Sequence, residues 1–471
     1  VGNVVASFLF PSPAVGFTKH RNEQYAKPLS LDIGMISQNL ETELKFIHLK
    51  KPTRDIGRVV IDKDFRATLA TLDSEVGSVM LVPWLQRSAM QIVEQPSGPR
   101  MRMFDAFFHG VRTRTGLQFM AVNVSVAMQQ VTGLALSATK VKPRYLAAAL
   151  WRYTSSPISY SEQIHNSSPF MRNRVSTQIM DIQRSIDKIL LNPSPMQKAR
   201  AFFNEHGYFL QTGMQSVVDT ITWAGAYEQA TAAGATEKEA IRQADSAVRE
   251  TQGTFAPEDI SRVEAGTPIM RMFTMFYSFF NMAANLNGTE FTKALRQGGF
   301  NAGGRALYIY SMGFMIPAIL SEAIVQAMSG QLFDDDDDDG YLDNVLSVFF
   351  GGQARMATAM VPAIGPIVQV GINQFNDRWY DDRINLSPAV STLEATAKVP
   401  FDIYRLAAED DARLRGPVKD VLTAIGMATG LPVAPLARPL GYLSDLEQGY
   451  IKDPDNPIEF TRGLVSGRAP E

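Results

Sequence analysis

The sequence predicts a mainly α fold: an elongated multi-helix assembly with an irregular, extended N-terminal arm. Three observations carry this expectation. Apolar residues recur at three- and four-residue spacing over most of the 471 positions, and strand-like alternation is scarce. Long stretches lack charge altogether. Prolines interrupt the opening hundred residues repeatedly, and the text changes near residue 100.

Residues 1–100 are the predicted arm. Pro11, Pro13, Pro28, Pro52, Pro83, Pro96 and Pro99 interrupt it often enough to forbid long helices, because each removes a backbone donor and crowds the preceding turn. Gly57 to Ile61 and Gly77 to Val82 carry β-branched runs and read as short strands or extended connectors. Residues 101–200 form a basic helical region. In it Leu117 to Thr139 is 23 residues without a charge, followed by Lys140-Val-Lys142-Pro-Arg144. Pro193 and Pro195 then open a long helix towards Ala233, with Ser194 or Asn192 as its cap.

Residues 201–300 make a long-helix domain. Thr236-Glu-Lys-Glu239 is a capping box, with the threonine hydroxyl accepting from the Glu239 amide while the Glu239 carboxylate reaches back, so a helix starts there and ends at Gly253. Positions 269–297 form a Met/Phe-rich helix, read either as core or as an adaptable surface suited to repacking. Residues 301–471 hold two further apolar spans, Ala306 to Phe333 with only Glu322 and Val345 to Phe375 with only Arg355, separated by the acidic run Asp334 to Asp339. The spans at 117–139, 306–333 and 345–375 are each long enough for a hydrocarbon layer of about 30 Å. Gln129, Gln130, Pro317, Glu322, Pro362 and Pro366 interrupt them, so burial in a core or between subunits fits them as well.

Cysteine is absent, which removes disulfides, thiolate metal sites and cysteine nucleophiles. Five scattered histidines without H-E-x-x-H give no zinc-hydrolase motif, and no phosphate loop, dinucleotide fingerprint or nucleophile elbow occurs. The acidic run aligns Asp335, Asp337, Asp339 and Gly340 with a calcium loop but places Leu346 where the bidentate glutamate belongs, so it reads as a solvated turn. No metal, cofactor or catalytic residue is predicted. The chain opens on Val1 without a basic leader or cleavage site and reads as a portion of a longer polypeptide.

The net charge of −3 conceals an asymmetry: residues 100–200 hold 14 Lys and Arg against 4 Asp and Glu, and every later block is acidic. Arg100, Arg102, Arg112, Arg114, Lys140, Lys142, Arg144 and Arg152 are the candidate phosphate- or lipid-facing cations, with Phe104, Phe107 and Phe108 interleaved among the first of them. Pairing within the subunit and head-to-tail packing of copies use such a division equally well. A conduit for DNA would avoid a tight basic lining, since each held phosphate slows passage.

The order of segments resembles a known arrangement. An uncharged helix, Phe119 to Gly133, precedes the G-A-T-E-K-E-A segment from Gly234. Then come P-I-M-R-M-F-T-M-F-Y-S-F-F-N (Pro268 to Asn281), apolar small-residue spans, and the terminal A-T-G-L-P (Ala428 to Pro432), R-P-L-G-Y (Arg438 to Tyr442) and R-G-L-V-S-G-R (Arg462 to Arg468). Over residues 100–471 this is similar to the C-terminal regions of large phage polyvalent proteins and of internal virion, or ejection, proteins of short-tailed bacteriophages. The resemblance implies a protein stored in the capsid or tail lumen, ejected with the genome, and reassembled as a homo-oligomeric ring or tube across the host periplasm and inner membrane. Its implied partners are copies of itself, other ejection proteins, the portal and tail, passing double-stranded DNA and inner-membrane lipid. Such proteins often carry a lytic transglycosylase or a virion RNA polymerase elsewhere in the polypeptide. Two rivals stay open: a fragment of such a virion enzyme, and a structural portal or tail-adaptor component.

Overall fold

A computed structural model describes residues 34–72, 76–90, 101–121, 123–178, 194–253, 259–261, 264–275, 277–298, 301–329, 388–408 and 415–467. Helix accounts for 85% of the described residues and no strand occurs among them, so the chain is mainly α.

The first described part departs from the proline-based expectation. Helix α1 (Gly34–Ile61) runs 28 residues with Pro52 inside it. His48, whose carbonyl loses its helical partner at Pro52, is exposed, where solvent can take the place of the missing N–H. The two predicted strands are also helical. Gly57 to Ile61 closes α1, and Gly77 to Val82 falls in a widened π-helical turn (Val76–Leu81) leading into α3 (Val82–Met90), after α2 (Lys63–Leu72). Tertiary burial overrides β-propensity here: Val60 packs against Leu85, with Phe65 and Trp84 around them. Arg87 of α3 donates to the Ile260 carbonyl at 3.3 Å in a buried position.

Helix α4 (Arg102–Met120) is followed by α5 (Val124–Gln129), a 3₁₀ turn (Gln130–Thr132) and α6 (Gly133–Ser137). The uncharged stretch 117–139 is therefore not one rod. It bends by 84° between Met120 and Val124, where Asn123 caps α5 by accepting from the Val126 amide at 3.3 Å.

Three short helices then start on prolines at their first turn, where a missing donor costs nothing: α7 (Pro143–Ser155), α8 (Pro157–Ser167) and α9 (Pro169–Gln178). The predicted long helix from Pro195 divides into α10 (Pro195–His206) and α11 (Phe209–Ala232). The break falls at Gly207, where a β-carbon would run into the Phe203 carbonyl and crowd Ala121 and Leu117. The capping box is present and opens α12 (Glu237–Thr251), two residues short of Gly253.

The 269–297 stretch likewise divides, into α13 (Pro268–Phe273) and α14 (Tyr277–Arg296), with Thr274 leaving helical geometry. Met272 is core, and Met275, Phe279 and Met282 pack against core clusters. Helix α15 (Ala302–Tyr310) passes through a π-helical turn (Ser311–Met315) into α16 (Ile316–Ser329). The C-terminal group is α17 (Pro388–Ala408), α18 (Arg415–Thr429), α19 (Ala437–Glu447) and α20 (Pro457–Ser466). Asp334 to Asp339 and the span Val345 to Phe375 lie outside the described residues.

The largest core surrounds α11, which carries Ile221, Trp223, Ala224 and Ala226 against α7, α8, α9 and α12. Alanine and glycine at the contacts bring the helices close: a β-carbon on Gly225 would lie 3.2 Å from Leu146 and the Tyr145 backbone. Inside this core, Arg174 and Asp219 form an ion pair at 2.9 Å with both side chains buried, and Arg174 also donates to the Gln252 and Gly253 carbonyls. Gln252 in turn donates to Ser137 Oγ at 2.8 Å and the Gly133 carbonyl at 3.0 Å. Buried polar groups thus fix how α6, α9, α11 and α12 meet.

A smaller cluster of Leu136, Ala283, Leu286 and Ala318 joins α6, α14 and α16. Another, built on Val111, Met272, Ala389 and Met427, closes the C-terminal helices on α4.

Candidate functional site

Two features stand next to each other on the α12–α14 side of the core: a charged cleft and an apolar helix clipped to its wall. The cleft has a volume of about 260 Å³ and is lined by Lys140, Arg249, Glu250, Gln252, Asp259, Ser278, Asn281, Asn285, Thr289 and Glu290, with Met282 and Leu286 as its apolar floor. Lys140 leaves the α6–α7 connection and bonds both Glu250 of α12 and Glu290 of α14, the latter at 2.8 Å. Lys293 reaches the same Glu290 oxygen at 2.8 Å from one turn further along α14. Four charges from three segments therefore alternate in sign around one point.

Burial opposes ionisation of Lys140, Glu250 and Glu290, and their hydrogen bonds and opposite charges more than reverse it. Lys140 ends above its ordinary value of 10.5, and Glu250 and Glu290 end below 4.5. The cleft does contain two carboxylates close together, the arrangement general acid–base chemistry uses. Lys140 keeps both ionised at neutral pH, so neither is a proton donor, and the cluster acts as a clamp between helices. Deeper in, Glu264 behaves oppositely: burial lifts its carboxyl above the ordinary range despite hydrogen bonds from Ser261 and Ser278. Among the described residues no group of three or more His, Cys, Asp or Glu is placed to hold a metal ion.

The apolar helix is α15–α16. Ala302–Ile324 is a 23-residue stretch with a mean hydropathy of 1.4 in its most apolar window, only 28% of which is buried in the chain. Its inner face is tied down at two polar points: the Tyr308 hydroxyl donates to the Ala138 carbonyl at 2.9 Å, and Asn287 Nδ2 donates to the Gly313 carbonyl at 2.7 Å. Glu322 turns into the protein and is buried. Its outer face presents Leu307, Tyr310 and Leu320.

The predicted basic residues are dispersed. Arg100 lies outside the described residues, and Arg102 opens α4. Arg112 is half-buried on that helix, and Arg114 donates to the Met427 carbonyl. Lys140 is taken up by the ion-pair cluster. Lys142 and Arg144 are exposed at the start of α7, with Arg144 donating to the Tyr145 hydroxyl at 2.9 Å, and Arg152 pairs with Glu228. Of the span-marking residues, Leu117 and Ala306 are buried and Thr139 is half-buried, donating to the Leu136 carbonyl at 2.7 Å. Phe333, Val345 and Phe375 lie outside the described residues.

Sequence reasoning did not find Glu250, Glu290 or Asn287, because no spacing rule links the two glutamates to Lys140, 150 positions before Glu290, or Asn287 to Gly313, 26 positions on. No family model, curated protein or solved structure matches this chain.

Proposed function

We propose that this chain is a segment of a phage internal virion protein that assembles with copies of itself into a conduit carrying the viral genome across the bacterial envelope. The observation that carries the reading is the Ala302–Ile324 helix. At about 1.5 Å per residue it is some 35 Å long, enough for a hydrocarbon layer of about 30 Å. Leu307 on its outer face is 63% exposed, so the helix leaves apolar surface that lipid or a neighbouring copy would cover. The order of motifs from Phe119 to Arg468 supports the same reading by its resemblance to ejection proteins. In it, the protein waits inside the virion and acts in the periplasm and inner membrane, where DNA passes without sequence-specific contact.

The test is paired: oligomeric state of the purified chain by mass photometry, and co-flotation with phosphatidylglycerol-containing vesicles. Rings that float with the lipid support the conduit. A monomer that stays in the soluble fraction refutes it, and an oligomer that ignores lipid points to a portal or tail-adaptor role.

A further inference from the structure

The most exposed large apolar residues of the best-packed region are not on the apolar helix but at the α7–α8 corner. Trp151 and Ile158 are each 75% exposed, and Leu150 lies beside Trp151 on the outer side of α7. The opposite sides of the same helices are ordinary core, with Leu146, Ala149 and Ile164 buried against α11. The outward display is therefore not a fraying end: the helices are held firmly from behind while apolar side chains stand in water in front.

The rim is cationic. Lys142 and Arg144 are exposed about two to two and a half turns before Trp151, and the Arg144 guanidinium is kept over the Tyr145 ring, 4.7 Å from its centre. Arg152 adds a third cation, shared with Glu228. Between Pro143 and Gln178 the sequence contains a single acid, Glu162.

From this placement we infer that the α7–α8 corner is an interfacial anchor, which seats Trp151, Leu150 and Ile158 among the headgroups of an anionic bilayer while Lys142 and Arg144 contact lipid phosphate. An indole with an apolar body and an N–H favours that boundary, and basic residues beside it add attraction to an anionic leaflet. A second copy of the chain fits the corner less well. With Trp151 and Ile158 75% exposed and Leu150 43% exposed, the apolar area they leave open is at most about 480 Å², short of the roughly 800 Å² per partner that a stable protein interface buries. The inference rests on the envelope reading for its setting, but it names a surface separate from the Ala302–Ile324 helix, so the two can fail separately.

The absence of cysteine makes the test clean. Ile158→Cys and, separately, Leu307→Cys are labelled with an environment-sensitive fluorophore on the full chain and mixed with vesicles of phosphatidylcholine alone or with phosphatidylglycerol. The expected result is a blue shift at position 158 with the anionic vesicles only, weakened by added salt. Trp151→Ala lowers the partition coefficient of the unlabelled chain roughly tenfold, as expected for losing one large inserted side chain. A chain that floats with a responding Leu307→Cys probe but a silent Ile158→Cys probe overturns the anchor and leaves the envelope reading intact. No flotation and no response at either position overturns both. A shift at position 158 that grows with protein concentration in the absence of lipid also overturns the anchor, since a second copy would then be what covers the corner.

Discussion

Gly313→Ala probes how the apolar helix is held. In an ordinary exposed helix this change would help, since alanine is favoured over glycine by about 0.8–1.0 kcal/mol. Here the new β-carbon would overlap the side-chain amide of Asn287. That amide cannot yield cheaply, because its nitrogen donates both to the Gly313 carbonyl at 2.7 Å and to the Ala283 carbonyl at 2.9 Å. Swinging it aside forfeits two hydrogen bonds, each about 0.5–1.5 kcal/mol, and leaves the buried Gly313 carbonyl short of its side-chain donor. The losses exceed the propensity gain, for a net destabilisation of about 1–2 kcal/mol. Asn287→Ala removes the same bonds without the clash, so in that background Gly313→Ala should be neutral or slightly stabilising. Urea denaturation of the four proteins of this cycle measures the coupling. If Gly313→Ala stabilises the chain whether or not Asn287 is present, the amide does not hold the helix and the reasoning fails.

Four further outcomes follow from the described contacts. Lys140→Met should cost about 2–3 kcal/mol, below the 3–5 kcal/mol of a fully buried pair, because Lys140 is partly solvated and Glu290 keeps Lys293; denaturation at pH 7 measures it. The pH dependence has a definite sign. The cluster's carboxylates titrate below 4.5 in the fold, so their contribution is present above that value and lost as pH falls through the lowered range. The Lys140 contribution is present below 10.5 and fades only as pH rises past its raised value. Glu264 works in the opposite sense at acid pH, so the cluster's share is the difference between the parent and Lys140→Met melting curves across pH, which should narrow at both extremes. Asp219→Ala should cost about 3–5 kcal/mol by stripping buried Arg174 of its carboxylate, a loss visible as a lower thermal midpoint. Thr236→Ala should cost about 1 kcal/mol and raise amide exchange in the first turn of α12 only.

What the sequence disclosed was chiefly local. The capping box at Thr236 and the proline at 195 mark helix starts because their effect depends on the nearest few residues. Pro52 misled because a proline on a water-facing side is tolerated, and only burial distinguishes that case. The breaks at Gly207 and Thr274 were illegible for a related reason: the atoms that require Gly207 to be a glycine include Ala121 and Leu117, nearly ninety positions earlier. The basic block was visible as composition, yet its members meet different fates, with Lys140 inside a clamp and Arg144 at the surface. Which cation is engaged depends on acids contributed by α11, α12 and α14. Trp151 and Ile158 are ordinary letters in an apolar pattern, and only the packing of α7 and α8 shows that they face outward.

The seam between α4 and the C-terminal helices bears on how the chain comes together. Arg114 donates to the Met427 carbonyl, Gln118 donates to Leu431, and the Ala434 amide donates back to Gln118 at 2.8 Å, all across 313 to 316 positions. On a ribosome these α4 side chains emerge early and stay without these partners until residues beyond 426 follow, so the seam closes late. The seam thus joins the C-terminal helices to a segment more than three hundred positions earlier, and α18 to α20 depend on it for their place against α4.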